Sequence, residues 1–79
     1  MDKNLEKDLE DIVNRFLFEV LNDITLHQII YEVECLDKKY KHYYDIKFDK
    51  HVNGILYITT NDKPHNIQTR HVLFEKNKN

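Results

Sequence analysis

Serine, alanine and tryptophan are absent from these 79 residues, and glycine, proline, cysteine and methionine occur once each. Each shortage excludes something. Without serine there is no serine nucleophile. The single cysteine, Cys35, cannot close an internal disulfide, and one thiol fits a reducing compartment. Five histidines are present, His27, His42, His51, His65 and His71, but no Cys-x-x-Cys or His-Glu-x-x-His accompanies them. A closed zinc site needs three or four ligands, so no metal is expected. No cofactor signature is found either. There is no apolar run of signal-peptide or membrane-spanning length, which predicts a soluble, intracellular, cytoplasmic chain with no membrane partner.

Gly, Ala, Pro and Arg number four in all, while Lys, Asn, Asp and Ile dominate. Those four scarce residues have GC-rich codons, so the composition points to an AT-rich genome, phage or bacterial. Length implies one domain over residues 1–79. A core of this size supplies only about 3–5 kcal/mol. With no disulfide or metal to help, self-association as a homodimer or a protein partner is the expected supplement. The net charge of −2 is unevenly laid out. Residues 1–36 hold three Lys or Arg against nine acids, and residues 37–79 hold nine against five, which is −6 and +4. That split either places a basic sheet beside an acidic helix or neutralises within the fold.

The one glycine locates a turn. Asn53-Gly54 lies between Tyr44, Ile46 and Phe48 on one side and Leu56 and Ile58 on the other, the pattern of a β-hairpin. A two-residue turn would split those apolar residues between two faces. A three-residue loop ending with Gly54 in the left-handed region pairs Lys50 with Leu56 and Phe48 with Ile58. All five then share one face, and a one-residue slip would invert them, so the bulged register is expected.

Residues 5–21 predict a helix. Leu5, Leu9, Ile12, Val13, Phe16, Leu17 and Val20 follow the spacing of one buried stripe, and Asn4 is placed to cap it. Residues 24–36 fit two patterns. Leu26, Ile29, Ile30, Val33 and Leu36 suit a helix, and Thr25 with Gln28 matches a capping box. Ile29, Tyr31, Val33 and Cys35 alternate with Ile30, Glu32, Glu34 and Leu36 as a strand would, and β-branched residues are frequent. The strand over 29–36 is preferred, with a turn at 37–40. It places Glu32 opposite Asp45, a like-charge pair that counts against it. Strands are also expected over 41–50, 55–60 and 67–75. The inward face of the last is undetermined, because Val72, Leu73 and Phe74 are consecutive. The expected fold is α+β: one N-terminal amphipathic helix packed on a three- to four-stranded antiparallel meander.

Three functions compete. The preferred one is a non-enzymatic protein-binding module, an inhibitor or adaptor. Phe18 lies opposite the apolar stripe of the helix, beside Asn14 and flanked by Leu21, and these three form the expected protein interface. An isolated exposed aromatic is also an ordinary surface feature. The second reading is nucleic-acid binding by the outer sheet face, where Lys41, Tyr43, Lys47 and Tyr57 interleave cations with rings, with His51 and Thr59 beside them. Asp45 and Asp49 dilute that charge, and Tyr and Lys are common on solvated sheets. The third is a small ribonuclease using His65 and His71, with Tyr57 or a carboxylate, as acid and base. Cys35 is expected in the core as a small packed side chain.

Overall fold

The computed structural model describes residues 2–16, 22–50 and 55–74. The expected α+β arrangement is present, with helix N-terminal to an antiparallel sheet. The element order is α1 (Lys3–Phe16), α2 (Asp23–Lys39), β1 (Tyr44–Lys50), β2 (Leu56–Asp62) and β3 (Ile67–Phe74). The three strands lie in the order β1-β2-β3.

The strand expected over 29–36 is a helix, the middle of α2. The reason is burial. As a helix it brings Thr25, Ile29, Val33 and Leu36 onto one face, at the i, i+4, i+8, i+11 positions of a core stripe. Enclosing a Val, Ile or Leu contributes roughly 1.5–3 kcal/mol each. The other residues of the alternation, Tyr31 and Cys35, turn to solvent. Cys35 is therefore exposed and not a core residue. The Glu32–Asp45 conflict also disappears, since Glu32 accepts two hydrogen bonds from Arg15 of α1, one of them 2.9 Å from Nη1.

Caps differ from expectation as well. Asp2, and not Asn4, caps α1: its Oδ1 accepts from the backbone N–H of Asn4 at 2.7 Å and of Leu5 at 3.2 Å. Asn22 caps α2, three residues before the expected Thr25, and accepts from Thr25 N at 2.9 Å. α2 then runs through the expected 37–40 turn and ends at Tyr40, whose carbonyl accepts from the N–H groups of Tyr43 and Tyr44.

The helices run antiparallel. Asp8 of α1 meets Lys39 and Tyr40 at the end of α2, and Arg15 meets Glu32. α2 packs on β1, and α1 packs on α2 and β3. Leu5, Leu9 and Ile12 from α1, Ile29, Val33 and Leu36 from α2, and Tyr44, Ile46, Ile58 and Leu73 from the sheet form the core. The other sheet face carries no element among the described residues.

The hairpin register is the expected one: Lys50 pairs with Leu56 and Phe48 with Ile58. Its turn, with Gly54, lies outside the described residues. β2 runs on to Asp62, because Asn61 and Asp62 still pair with Gln68 and Ile67. Asn66 takes φ 54° in the turn that follows, a conformation Asn tolerates. The consecutive Val72-Leu73-Phe74 is resolved by a bulge. Tyr57 pairs with Val72 but Leu56 with Phe74, so Leu73 is an extra residue. Val72 faces solvent and Leu73 enters the core.

Candidate functional site

Three surfaces hold the residues singled out in the sequence. The first is the side of the helix pair turned away from the sheet. Asn14 is exposed on α1; its expected companions Phe18 and Leu21 lie outside the described residues. α2 adds a stripe that sequence reasoning missed, because it assigned those residues to a strand. Ile24, Tyr31 and Cys35 recur at i, i+7 and i+11, which is one helix face. Ile24 is 79 % exposed and Tyr31 67 %. Hydrogen bonding to Cys35, one turn on, pushes the Tyr31 phenol up. A groove of about 350 Å³ runs beside this stripe, with Ile12 and Leu36 at its floor and Asp11, Arg15 and Lys39 among its walls.

The second surface is the open sheet face. Lys47 and Tyr57 both lie on it, on β1 and β2, offset diagonally by two residues. Tyr43 is 65 % exposed, and Lys41 is exposed with it in the turn before β1, so these two extend the face at its edge. The Lys41 carbonyl accepts from Lys63 Nζ at 2.5 Å. Arg70 is the residue missed here, because the face of β3 could not be assigned without its bulge. Its guanidinium lies 5.1 Å from the centre of the Tyr57 ring. The charges are mixed: Lys63 sits 3.6 Å from Asp45, and Asp49 accepts a hydrogen bond from Thr59 at 3.0 Å. Thr59, expected on this face, is there but buried beneath its neighbours. His51 lies outside the described residues.

The third surface is the cleft between α1 and β3, about 350 Å³, lined by Glu6, Leu9, Glu10, Val13 and His71. His71 pairs with Ile58 on the helix side of the sheet, its Nε2 3.3 Å from Thr60 Oγ1. Burial pushes its pKa below the ordinary 6.5, and the nearby Glu6 carboxylate opposes that shift. His65 sits instead in the β2–β3 turn, bonded to Asp62 through Nδ1 at 3.1 Å. Tyr57 is on the opposite sheet face from His71. The expected joining of His65 and His71 with Tyr57 or a carboxylate is thus not assembled: His65 stays in the turn with Asp62, and Tyr57 and His71 lie on opposite faces because adjacent strand positions alternate.

Among the described residues, no cluster of three or more His, Cys, Asp or Glu side chains is placed to hold a metal ion. Among those residues, too, no helix is long and apolar enough to cross a membrane. No protein-family model, curated protein or solved structure matches the chain.

Proposed function

We propose that this chain acts by protein–protein contact, as a small non-enzymatic binding module of the inhibitor or adaptor kind. The observation that carries the reading is the second apolar stripe on α2. A helix that only covered its own sheet would need one apolar face, and Ile29, Val33 and Leu36 already supply it. Ile24 and Tyr31 stand on the other side, largely in water, and Tyr31 lines a groove between the helices. Burying each against a partner would contribute roughly 1.5–3 kcal/mol. Asn14 is exposed on α1, and Phe18 and Leu21 follow it in sequence.

The test is affinity capture from a host lysate, with and without nuclease, using the parent and the Tyr31→Asp variant. A protein retained by the parent after nuclease treatment and lost by the variant supports the reading. Capture that Tyr31→Asp leaves unchanged overturns this interface.

The nucleic-acid reading keeps one favourable observation, the Arg70–Tyr57 stack with Lys47 nearby. Base stacking on such a ring is worth about 1–3 kcal/mol by alanine substitution. Asp45 and Asp49 share that face, and their repulsion of phosphate makes it the weaker choice. Salt-sensitive binding of single-stranded oligonucleotides, lost in Tyr57→Ala, would reverse the order.

A further inference from the structure

β1 is an edge strand. In an antiparallel strand, alternate residues present their backbone groups to the same edge. The N–H of Tyr44 bonds to Tyr40 O at 3.0 Å, and that of Ile46 to Asp37 Oδ1 at 2.9 Å. Even-numbered residues of β1 therefore face away from β2. The end of α2 closes the first half of this edge. The outward groups of Phe48 and Lys50 have no partner among the described residues. Alongside them, a groove of about 350 Å³ opens between α2 and β1, walled by Ile30, Val33, Ile46 and Phe48 with Glu34 at its rim.

We propose that a second copy of this chain occupies that edge, with the two β1 strands antiparallel about a two-fold axis at Phe48, joining the sheets into one of six strands. The inference rests on the protein-contact reading and assigns the self-contact to a surface separate from the helix stripe.

Charge and hydrogen bonding together select the register. Centring the axis on Lys47 would set Lys47 against its own copy and Asp45 against Asp49, three like-charge contacts. Centring it on Asp49 would oppose two copies of Asp49. Centring it on Ile46 would put the Ile46 N–H that Asp37 already holds at the axis in both copies, and would set Tyr44, whose N–H Tyr40 holds, against Phe48. Centring it on Phe48 sets Lys47 of each copy opposite Asp49 of the other, on the open face. It lets the two Phe48 residues exchange both backbone hydrogen bonds, and it pairs Lys50 with Ile46 of the second copy through one bond, from the Lys50 N–H to the Ile46 carbonyl, because the Ile46 N–H stays with Asp37. That last pairing brings the Lys50 ammonium to the groove rim where Glu34 stands. Charged residues on an edge strand discourage indiscriminate pairing; here the Phe48 alignment is complementary in charge and places the axis on backbone groups that no neighbour in the chain already holds.

Sedimentation over a concentration series tests this. The parent is expected to dimerise. Lys47→Asp and Asp49→Lys should each weaken the dimer by about tenfold or more, as two opposite-charge pairs become two like-charge pairs. An equimolar mixture of these two variants should associate again, because each supplies what the other lacks. Circular dichroism verifies that the variants fold. Should Asp49→Lys unfold through loss of its Thr59 bond, Lys50→Pro replaces it: the variant removes an outward N–H without touching the β1–β2 ladder, and should abolish pairing. A parent that stays monomeric overturns the proposal, even if it still captures a partner through Tyr31. So does a dimer indifferent to Lys47→Asp, or one broken by Tyr31→Asp alone.

Discussion

The Asp37 carboxylate, near the end of α2, accepts a hydrogen bond of 2.9 Å from the backbone N–H of Ile46 in β1. This contact helps tie helix to strand and closes a donor on the sheet's open edge. Leaving that N–H without a partner in a part-buried position costs about 1–3 kcal/mol. Asp37→Ala is therefore expected to lower the unfolding free energy by about that much, with Asp37→Asn recovering part of it because an acceptor oxygen remains. Urea unfolding checks this. Equal midpoints for parent and Asp37→Ala would remove Asp37 from the account of β1.

The cap of α2 separates two similar sequence signals. Asn22 accepts from Thr25 N in the structure, whereas the capping-box pattern points to Thr25 and Gln28. Asn22→Ala should cost about 1 kcal/mol, and Gln28→Ala, an exposed change, close to nothing. Thermal unfolding of the two variants side by side decides between them; a larger loss in Gln28→Ala would restore the later start.

Asp8 sets the acid limb of stability. Hydrogen bonds from Tyr40 first and Lys39 second hold its pKa below the ordinary 3.8. The folded state thus binds the proton less readily than the unfolded chain. Its stabilisation is complete above the ordinary carboxylate value and fades as pH falls through the folded value. Asp8→Asn should flatten this part of the stability–pH curve. In NMR titrations, Tyr40→Phe and Lys39→Ala should each raise the Asp8 pKa. An Asp8 pKa unchanged in Tyr40→Phe would contradict the 2.6 Å Tyr40 hydroxyl contact as a cause.

His71 acts nearer neutrality and with the same sign. Burial in the α1–β3 cleft lowers its pKa below 6.5, so protons favour the unfolded chain. Stability is complete above pH 6.5 and declines as pH falls through the lowered folded value. His71→Gln should abolish that decline. Glu6→Gln should depress the His71 pKa further, since the carboxylate is the group that raises it. An upward shift in Glu6→Gln would show that the ring does not sense α1.

Periodicity was decisive where one pattern stood alone. α1 has a single apolar stripe, and Leu5, Leu9 and Ile12 are its buried residues as expected. The β1–β2 register was legible for the same reason: only one alignment puts Tyr44, Ile46, Phe48, Leu56 and Ile58 on one face, and a slip inverts all of them. Lys47 and Tyr57 could be assigned to the opposite face by that argument alone.

Residues 29–36 resisted because Ile29 and Val33 belong to both the helical and the alternating pattern. Choosing between them required partners distant in sequence. Arg15 is available to Glu32 only once α1 and α2 lie antiparallel, and Asp37 reaches Ile46 only if α2 continues to Lys39. Likewise, Leu73 is inward and Arg70 joins Tyr57 only because β3 bulges opposite Leu56 and Tyr57. Local spacing records the direction of each side chain within its own element. Which of two compatible elements forms, and which face of a three-residue apolar run turns inward, depends on burial and hydrogen bonds made across the fold. Those long-range contacts were settled by the tertiary structure.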